Sequence, residues 1–203
     1  MKMVKLKDIC EFQPKKAEVR ALLSSSEVVS FLPMEDLDAY SKYVKPKHQR
    51  TLSEVIKGYT YFRENDILLA KITPCFENGK IGIAKDLVNG IGFGSTEYIV
   101  IRVGNEVLSE WVYQFLTLPF IREQGKELMT GAVGHKRVPK EFIENLSIPL
   151  PPVKTQIELL KKLDEKLDDI SHCESMLEQQ ILLLRELETS TVSETLGLAN
   201  ERS

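Results

Sequence analysis

Between residues 153 and 189, apolar residues recur every three to four positions, and neither proline nor glycine interrupts the run. In a heptad repeat they occupy the a and d positions. These residues are Leu160, Leu163, Leu167, Ile170, Leu177, Ile181 and Leu184. Glu174 and Glu188 fall at a positions and Thr191 at a d position, so polar interruptions can fix the register of a helix pair. The pattern predicts a helix from about Val153 to Thr189, roughly 55 Å long at 1.5 Å per residue.

An amphipathic helix of this length cannot bury its apolar stripe alone. We therefore assign the seven a and d residues to pairing with a second long helix, from another copy of the chain or from another protein. The alternative is a helix that folds back over its own domain. The segment 153–190 is the predicted spacer and dimerisation helix, and the small, polar segment 191–203 is a predicted disordered tail.

The segment before this helix is punctuated by prolines. Ser147 to Leu150 is predicted to be extended, because a residue that precedes proline is pushed out of helical backbone space. Pro152 can occupy a first helical turn, where its missing N–H costs little. The domain boundary is therefore placed after residue 152.

Residues 1–152 mix short strand patterns with short helix patterns. Ile67 to Ile72 reads as a buried strand, Ile81 to Ala84 as a second one, and Ser95 to Val103 as a β-rich run. Two helices are predicted next, over 106–116 and 119–129. The expected fold class is a mixed α/β, α+β globular domain followed by one long coiled-coil-forming α-helix.

Composition excludes several classes of protein. The chain is 42% hydrophobic, enough for a core, but it lacks the run of about 18 apolar residues that a membrane helix requires. The N-terminus lacks the apolar region of a secretion signal, so we expect a cytoplasmic protein without a membrane partner. Cys10, Cys75 and Cys173 lack metal-ligand spacing. They are predicted to be reduced thiols, with no metal site.

The net charge of −3 is unevenly divided. Residues 1–152 carry 21 Lys and Arg against 19 Asp and Glu, whereas residues 153–203 carry 6 against 11. The acidity therefore lies in the helical segment. A nearly neutral globular part can still present a basic face, although the charge alone is not persuasive.

Polar segments of the globular part supply candidate DNA contacts. The basic segment 42–51 suits phosphate contacts if it is a mobile loop, and an ordinary solvated loop is the alternative. Polar residues of 71–80 leave a strand end, Ser95, Thr96 and Glu97 offer donors and an acceptor, and the glycine-rich loop 130–138 carries three adjacent cationic or titratable groups. The predicted contacts are Lys47, His48, Arg50, Lys71, Thr73, Lys80, Ser95, Thr96, His135, Lys136 and Arg137.

Catalytic motifs are missing from the sequence. Gly90 to Gly94 only superficially resembles a nucleotide-binding glycine loop, because a β-rich run rather than a helix follows it. The Pro151-Pro152 pair lacks the flanking residues of an adenine methyltransferase motif. Asp66 and Lys71 lack the second acid that a metal-dependent nuclease needs. We expect no intrinsic catalysis.

Four blocks, in this order, resemble the specificity subunits of Type I restriction-modification systems. They are Phe62 to Pro74, Gly94 to Tyr98, Gly131 to Val138, and Ile148 to Pro152 with Gln156-Ile157 shortly after. The resemblance rests on the order of these blocks and on the long helix after the Leu-Pro-Pro turn. It covers Val4 to Leu187.

The resemblance implies a target recognition domain that reads half of a bipartite site in double-stranded DNA. It also implies methyltransferase subunits and an endonuclease/translocase subunit as partners, which would bind the methyl donor and the nucleotide, so that this chain needs no cofactor. Family members usually hold two such domains and two helices, whereas this sequence has one of each. It suggests a homodimer that reads an interrupted palindrome, or a fragment of a longer gene. The alternative function is a coiled-coil adaptor that does not bind DNA.

Overall fold

The structure is a computed structural model that describes residues 2–39, 41–132 and 134–198. Its strands are β1 Met3–Lys5, β2 Cys10–Phe12, β3 Val28–Leu32, β4 Tyr43–Val44, β5 His48–Thr51, β6 Thr60–Arg63, β7 Ile67–Ala70, β8 Ile81–Ala84, β9 Ile91–Gly94, β10 Tyr98–Val103 and β11 Ser147–Pro149. Its α-helices are α1 Leu6–Ile9, α2 Ala17–Arg20, α3 Leu52–Val55, α4 Ser109–Leu116, α5 Pro119–Glu127, α6 Lys140–Asn145 and α7 Val153–Thr195. Short 3₁₀ turns occupy Met34–Asp36 and Val88–Gly90.

The described strands form three sheets. The five-stranded sheet has the order β2-β10-β7-β8-β4, and the four-stranded sheet has the order β5-β3-β9-β6. Strands β1 and β11 pair antiparallel, so the start of the chain is hydrogen-bonded to the segment that precedes α7. Strands β9 and β10 follow each other in the chain but belong to different sheets, and only Ser95 to Glu97 separates them.

The central strand β7 is buried on both faces. Ile67 and Leu69 belong to a core cluster that includes residues of α4, whereas Leu68 and Ala70 belong to a second cluster with Leu32 and other residues. Successive side chains of a strand point to opposite faces, which explains why a continuous apolar run is needed here. The predicted buried strand is therefore confirmed, although it ends at Ala70 rather than at Ile72.

A partly buried ion-pair network ties α2 to the five-stranded sheet. Asp66, 1% exposed, accepts two hydrogen bonds from Arg102, at 2.9 and 2.8 Å. Arg102 also donates to Glu18 at 3.0 Å. Burial raises the pKa of Asp66, and the hydrogen bonds from Arg102 oppose that rise. Asp66 therefore has a structural role, which agrees with its rejection as a nuclease residue.

Two segments differ from the sequence-based expectations. The basic segment 42–51 contains strands β4 and β5 and is not one mobile loop, because His48–Thr51 pairs antiparallel with β3. The glycine-containing segment 91–94 is strand β9, which agrees with the rejection of a nucleotide loop.

The long helix α7 extends beyond its predicted end. The hydroxyls of Thr189, Thr191 and Thr195 donate to backbone carbonyls four residues earlier, so small polar residues continue the helix. Gly197, at φ 71°, then caps the helix: its N–H donates to the Glu194 carbonyl, and the N–H of Leu198 donates to the carbonyl of Ser193. The predicted disorder of 191–203 is thus wrong for 191–195. Residues 199–203 lie outside the described residues.

The chain divides into two compact units, Met1–Gln156 and Ile157–Ser203. The first turn of α7 therefore belongs to the globular unit, a few residues beyond the predicted boundary. Across 2–39, 41–132 and 134–198, no helix meets the length and apolarity that a membrane crossing requires. The same residues contain no cluster of three or more His, Cys, Asp or Glu side chains that could hold a metal ion.

Candidate nucleic-acid interface

Three loops of the globular unit are hydrogen-bonded to one another. They are residues 71–80 between β7 and β8, residues 95–97 between β9 and β10, and residues 130–138 after α5. Together we call them the loop cluster. The N–H of Thr73 donates to the carbonyl of Lys136, and the N–H of Val138 donates to the carbonyl of Lys71, both at 2.9 Å. The N–H of Lys71 donates to the carbonyl of Glu97 at 2.9 Å. Segments distant in sequence are thereby held side by side by their backbones.

Lys71 lies at the centre of the loop cluster. Its ammonium group donates to the carbonyl of Thr96 at 3.0 Å, which directs the side chain toward the Ser95–Glu97 loop. The side chain of Thr96 is exposed, whereas Ser95 is partly buried and its hydroxyl accepts from the N–H of Glu97 at 3.2 Å. Lys71 and Thr96 can therefore contact a ligand at this surface, while Ser95 mainly shapes the turn.

Glu97 and Arg137 form a two-pronged ion pair inside the loop cluster. Nε of Arg137 donates to Oε2 of Glu97 at 2.9 Å, and Nη2 donates to Oε1 at 2.7 Å. These hydrogen bonds lower the pKa of Glu97, and the charge of Lys71 acts in the same direction. The sequence predicts Glu97 as a possible acceptor but not as a DNA contact. Its partner Arg137 lies 40 residues further along the chain, and no local pattern connects the two.

The glycine-rich loop has a left-handed backbone at two glycines. Gly131 has φ 127° and Gly134 has φ 80°. A Cβ at Gly131 would lie 2.8 Å from the carbonyl oxygen of His135, which a side chain there could not avoid. His135 and Lys136 are exposed on this loop. Val133 lies outside the described residues.

Thr73 is a weaker candidate than the sequence suggests. It is partly buried, and its hydroxyl lies 3.8 Å from the sulfur of Met129. Its backbone N–H bonds to the glycine-rich loop as described above. Thr73 is therefore placed to join two loops, and less of its side chain faces outward.

The remaining predicted contacts lie near acidic residues. The ammonium group of Lys80 donates to the carbonyl of Met34 at 3.1 Å, and Lys47 lines the same groove as Lys80. Glu35, Asp36, Asp38 and Asn78 also line this groove. Nε2 of His48 lies 3.1 Å from a carboxylate oxygen of Asp36, an ion pair when the imidazole is protonated, without hydrogen-bond geometry. The groove therefore has mixed charge, which the predicted contact set does not show because it contains none of these acids.

Arg50 lies on β5, near the aromatic ring of Phe31. Its guanidinium carbon is 5.2 Å from the centroid of that ring, within cation–π range. The hydrogen bonds of the loop cluster involve Lys71, Thr73, Thr96, Lys136 and Arg137, and Lys80 closes one of its loops. Ser95 and His135 also lie in these loops, so the structure brings eight of the eleven predicted contacts into one neighbourhood, while Arg50 packs on its own sheet.

Helix α7 carries a row of exposed apolar side chains along the predicted seam. Leu167, Ile170, Leu177, Ile181 and Leu184 are between 42% and 64% exposed. Leu160 is 8% exposed and Leu163 is partly buried, so these two offer less surface to a partner helix.

A family model described as the Type I restriction modification DNA specificity domain matches residues 1–182. The chain belongs to this family. The match spans both the globular unit and most of α7, and it confirms the resemblance drawn from the sequence. Members of the family are specificity subunits, which are non-catalytic, in agreement with the missing catalytic motifs.

Two relatives carry the same description. The chain is 37% identical over 158 residues to the Type I restriction enzyme EcoEI specificity subunit of Escherichia coli, and 36% identical over 170 residues to the EcoAI specificity subunit of the same organism. The matches cover 77% and 83% of this chain but only 26% and 28% of the relatives. The chain therefore spans about a quarter of the length of these relatives.

Solved structures share the fold at low identity. A chain from a structure on complex assembly and conformational transition of the type I R-M system superposes with a TM-score of 0.69 at 18% identity, covering 94% of this chain and 49% of that one. The HsdS subunit from Thermoanaerobacter tengcongensis gives 0.64 at 20% identity, covering 96% and 46%. These similarities confirm the mixed α/β fold with its long helix.

Proposed function

We propose that this chain reads one half of a bipartite double-stranded DNA site and directs the methyltransferase and endonuclease/translocase subunits of a Type I restriction-modification system to it. One observation carries the proposal. The loop cluster gathers Lys71, Lys136 and Arg137 from two segments that are distant in sequence onto one surface, in a chain whose family is described as a DNA specificity domain. Basic side chains position a protein on phosphates, and arginine can also read guanine.

Different cations of the loop cluster would have different tasks. Lys136 and His135 are exposed near glycines that allow the backbone to approach a duplex closely. We assign them to phosphate contacts, with Lys71 beside them. Arg137 is held in a fixed orientation, which suits contact with a base edge.

Pairing of α7 with the α7 of a second copy would complete the bipartite reader. The exposed a and d side chains support a two-helix seam, and the polar residues Glu174 and Glu188 can set its register. Two identical domains related by a two-fold axis would read identical half-sites. The expected target is an interrupted palindrome, and the chain is expected to act in the cytoplasm. The methyl donor and nucleotide would bind the partner subunits.

The decisive experiment is a methylation map of DNA from a host that expresses this chain with the methyltransferase subunit encoded beside it. The comparison is the methyltransferase alone. A symmetric interrupted motif that requires the chain supports both DNA reading and self-pairing. An asymmetric motif keeps the reading and refutes self-pairing. Absence of any motif, with the methyltransferase bound and active, refutes the proposal.

A single-residue comparison tests the assigned surface directly. Lys136→Ala should weaken binding to all sequences alike and reduce the salt slope, d log K/d log[salt], by about 0.9 for one lost phosphate contact. Lys57→Ala removes an exposed lysine elsewhere on the globular unit and should leave both quantities unchanged. Equal effects of the two substitutions would count against the loop cluster as the DNA surface.

A coiled-coil adaptor that does not touch DNA is the second candidate. It is favoured by exposed leucines outside the a and d seam, namely Leu182, Leu183 and Leu187 at 58%, 63% and 62% exposure. Association through such a surface should depend little on salt, whereas DNA binding weakens steeply as salt rises. A titration of complex formation against ionic strength, with and without DNA, separates the two functions.

A further inference from the structure

Both partners of the Glu97–Arg137 pair have firmly held backbones. The carbonyl of Glu97 accepts from the N–H of Lys71 at 2.9 Å, and its own N–H donates to Ser95. Arg137 exchanges two backbone hydrogen bonds with Thr130, at 2.8 and 3.1 Å. The ion pair thus bridges two loops that are each fixed at the point where the pair forms. Its geometry is set by the fold before any ligand binds.

The hydrogen bonds of Arg137 leave a defined set of donors. A guanidinium has five N–H groups. Glu97 takes one from Nε and one from Nη2, and the carbonyl of His135 takes one from Nη1 at 3.1 Å. One N–H therefore remains on each terminal nitrogen. Two donors on Nη1 and Nη2 match the two acceptors O6 and N7 that guanine presents in the major groove.

Exposure and charge are consistent with an outward-facing reader. The side chain of Arg137 is 46% exposed, whereas that of Glu97 is 21% exposed. Because the pKa of Glu97 is lowered mainly by its hydrogen bonds with Arg137, the carboxylate is charged at neutral pH. It cancels much of the positive charge that would otherwise attract any nearby phosphate. An arginine held this way favours a specific contact over a general one.

We propose that Glu97 is a positioning residue for base reading: it aims Arg137 at a guanine in each half-site and prevents Arg137 from serving as a general phosphate contact. This inference rests on the proposed DNA-reading function. It gives the carboxylate of Glu97 a role beside the cations and hydroxyls of the predicted contact set. It also commits one position of each half-site to a G·C pair.

The test compares Glu97→Gln with the parent chain, each complexed with the methyltransferase. Glutamine retains the size of the side chain but loses the charge. We expect the methylation map to become degenerate at one G·C position of each half-site, with discrimination there falling about tenfold to a hundredfold. We also expect tighter binding to unrelated DNA and a salt slope steeper by about 0.9 per chain, because Arg137 becomes free to contact a phosphate.

Three further variants sharpen the comparison. Glu97→Asp keeps the charge and should retain the parent motif. Arg137→Lys keeps a positive charge but lacks the two-pronged geometry, so it should lose the same G·C position. An unchanged motif in this variant would refute the inference even if Glu97→Gln fails to fold by circular dichroism. Glu144→Gln breaks the Lys140–Glu144 pair on α6, outside the loop cluster, and should change neither motif nor slope.

Two results would overturn the inference. One is an unchanged motif and slope in Glu97→Gln. The other is a uniform loss of affinity for all sequences with the motif intact, since that marks a purely structural role. Failure of the parent chain to produce any motif would instead refute DNA reading itself, so the two failures are distinguishable.

Discussion

Gln156, in the first turn of α7, is 0% exposed, and its side chain makes three hydrogen bonds within the globular unit. Its Oε1 accepts from the N–H of Leu108 at 3.0 Å. Its Nε2 donates to the carbonyl of Glu106 at 2.9 Å and to the carbonyl of Pro151 at 2.8 Å. One side chain therefore satisfies backbone groups in the segment before α4 and in the segment before α7. Gln156→Leu, which is similar in size, removes all three bonds.

The expected loss of stability follows from the burial of each bond. A buried polar group left without a partner costs about 1–3 kcal/mol. The bond to Pro151 is fully buried, whereas the other two are partly accessible, so water can compensate for part of their loss. We expect the free energy of unfolding to fall by about 3–5 kcal/mol in total. For a unit of this size, that corresponds to a lower melting temperature by roughly 6–20 °C.

Urea unfolding followed by circular dichroism measures the change, with differential scanning calorimetry as an independent readout. Gln179→Leu is the matched control, because Gln179 is exposed on the same helix and should shift stability by no more than about 0.5 kcal/mol. A loss below about 1 kcal/mol for Gln156→Leu would refute the stabilising role assigned to these three hydrogen bonds. So would an equal loss in the control.

The other predictions concern the helix seam, the thiols and one carboxylate. Leu177→Asp should weaken self-association a hundredfold or more, because each of the two helices loses about 1.5–3 kcal/mol of free energy from apolar burial. Gln179→Asp should not weaken it. Sedimentation equilibrium measures the dissociation constant of both variants. Burial raises the pKa of Cys10 to about 12, so iodoacetamide should alkylate the exposed Cys173 before Cys10 in the chain without partners. Mass spectrometry identifies the alkylated residue, and faster alkylation of Cys10 would refute this prediction. The pKa of Glu97 is lowered below the ordinary 4.5, so its stabilising contribution is present above pH 4.5 and is lost as pH falls through the lower folded value. Carboxyl NMR should find that Glu97 titrates below ordinary glutamates, and Arg137→Gln should raise the pKa of Glu97.

Local patterns were sufficient for most of the architecture. The continuous apolar run at Ile67 predicts a strand buried on both faces, and the prolines around Pro149 predict an extended segment followed by a helix. The predicted end of α7 is too early, because the small, polar composition of 191–203 favours disorder, whereas threonine hydroxyls bond within the helix until Gly197 ends it. In this case Gly197 was the better stop signal.

Pairing between distant strands was harder to predict. The segment 48–51 resembles a polar, basic loop, because its hydrophilic side chains lack the apolar alternation typical of a strand. It is nevertheless strand β5, at the edge of its sheet. Its extended conformation comes from backbone hydrogen bonds to β3, which do not depend on apolar side chains. Similarly, the acids Glu35, Asp36 and Asp38 line the same groove as Lys80, from which they are remote in sequence.

The sequence by itself determined the class of the protein, its mixed α/β domain, its long helix and its glycine-rich cationic loop. These properties are local, since hydrophobic periodicity, prolines and glycines act on the backbone within a few residues. The tertiary structure decided which cations share a surface and which already have partners. Glu97 and Arg137 meet across 40 residues because the strands and loops that carry them are brought together by long-range backbone pairing, and no local pattern encodes that contact.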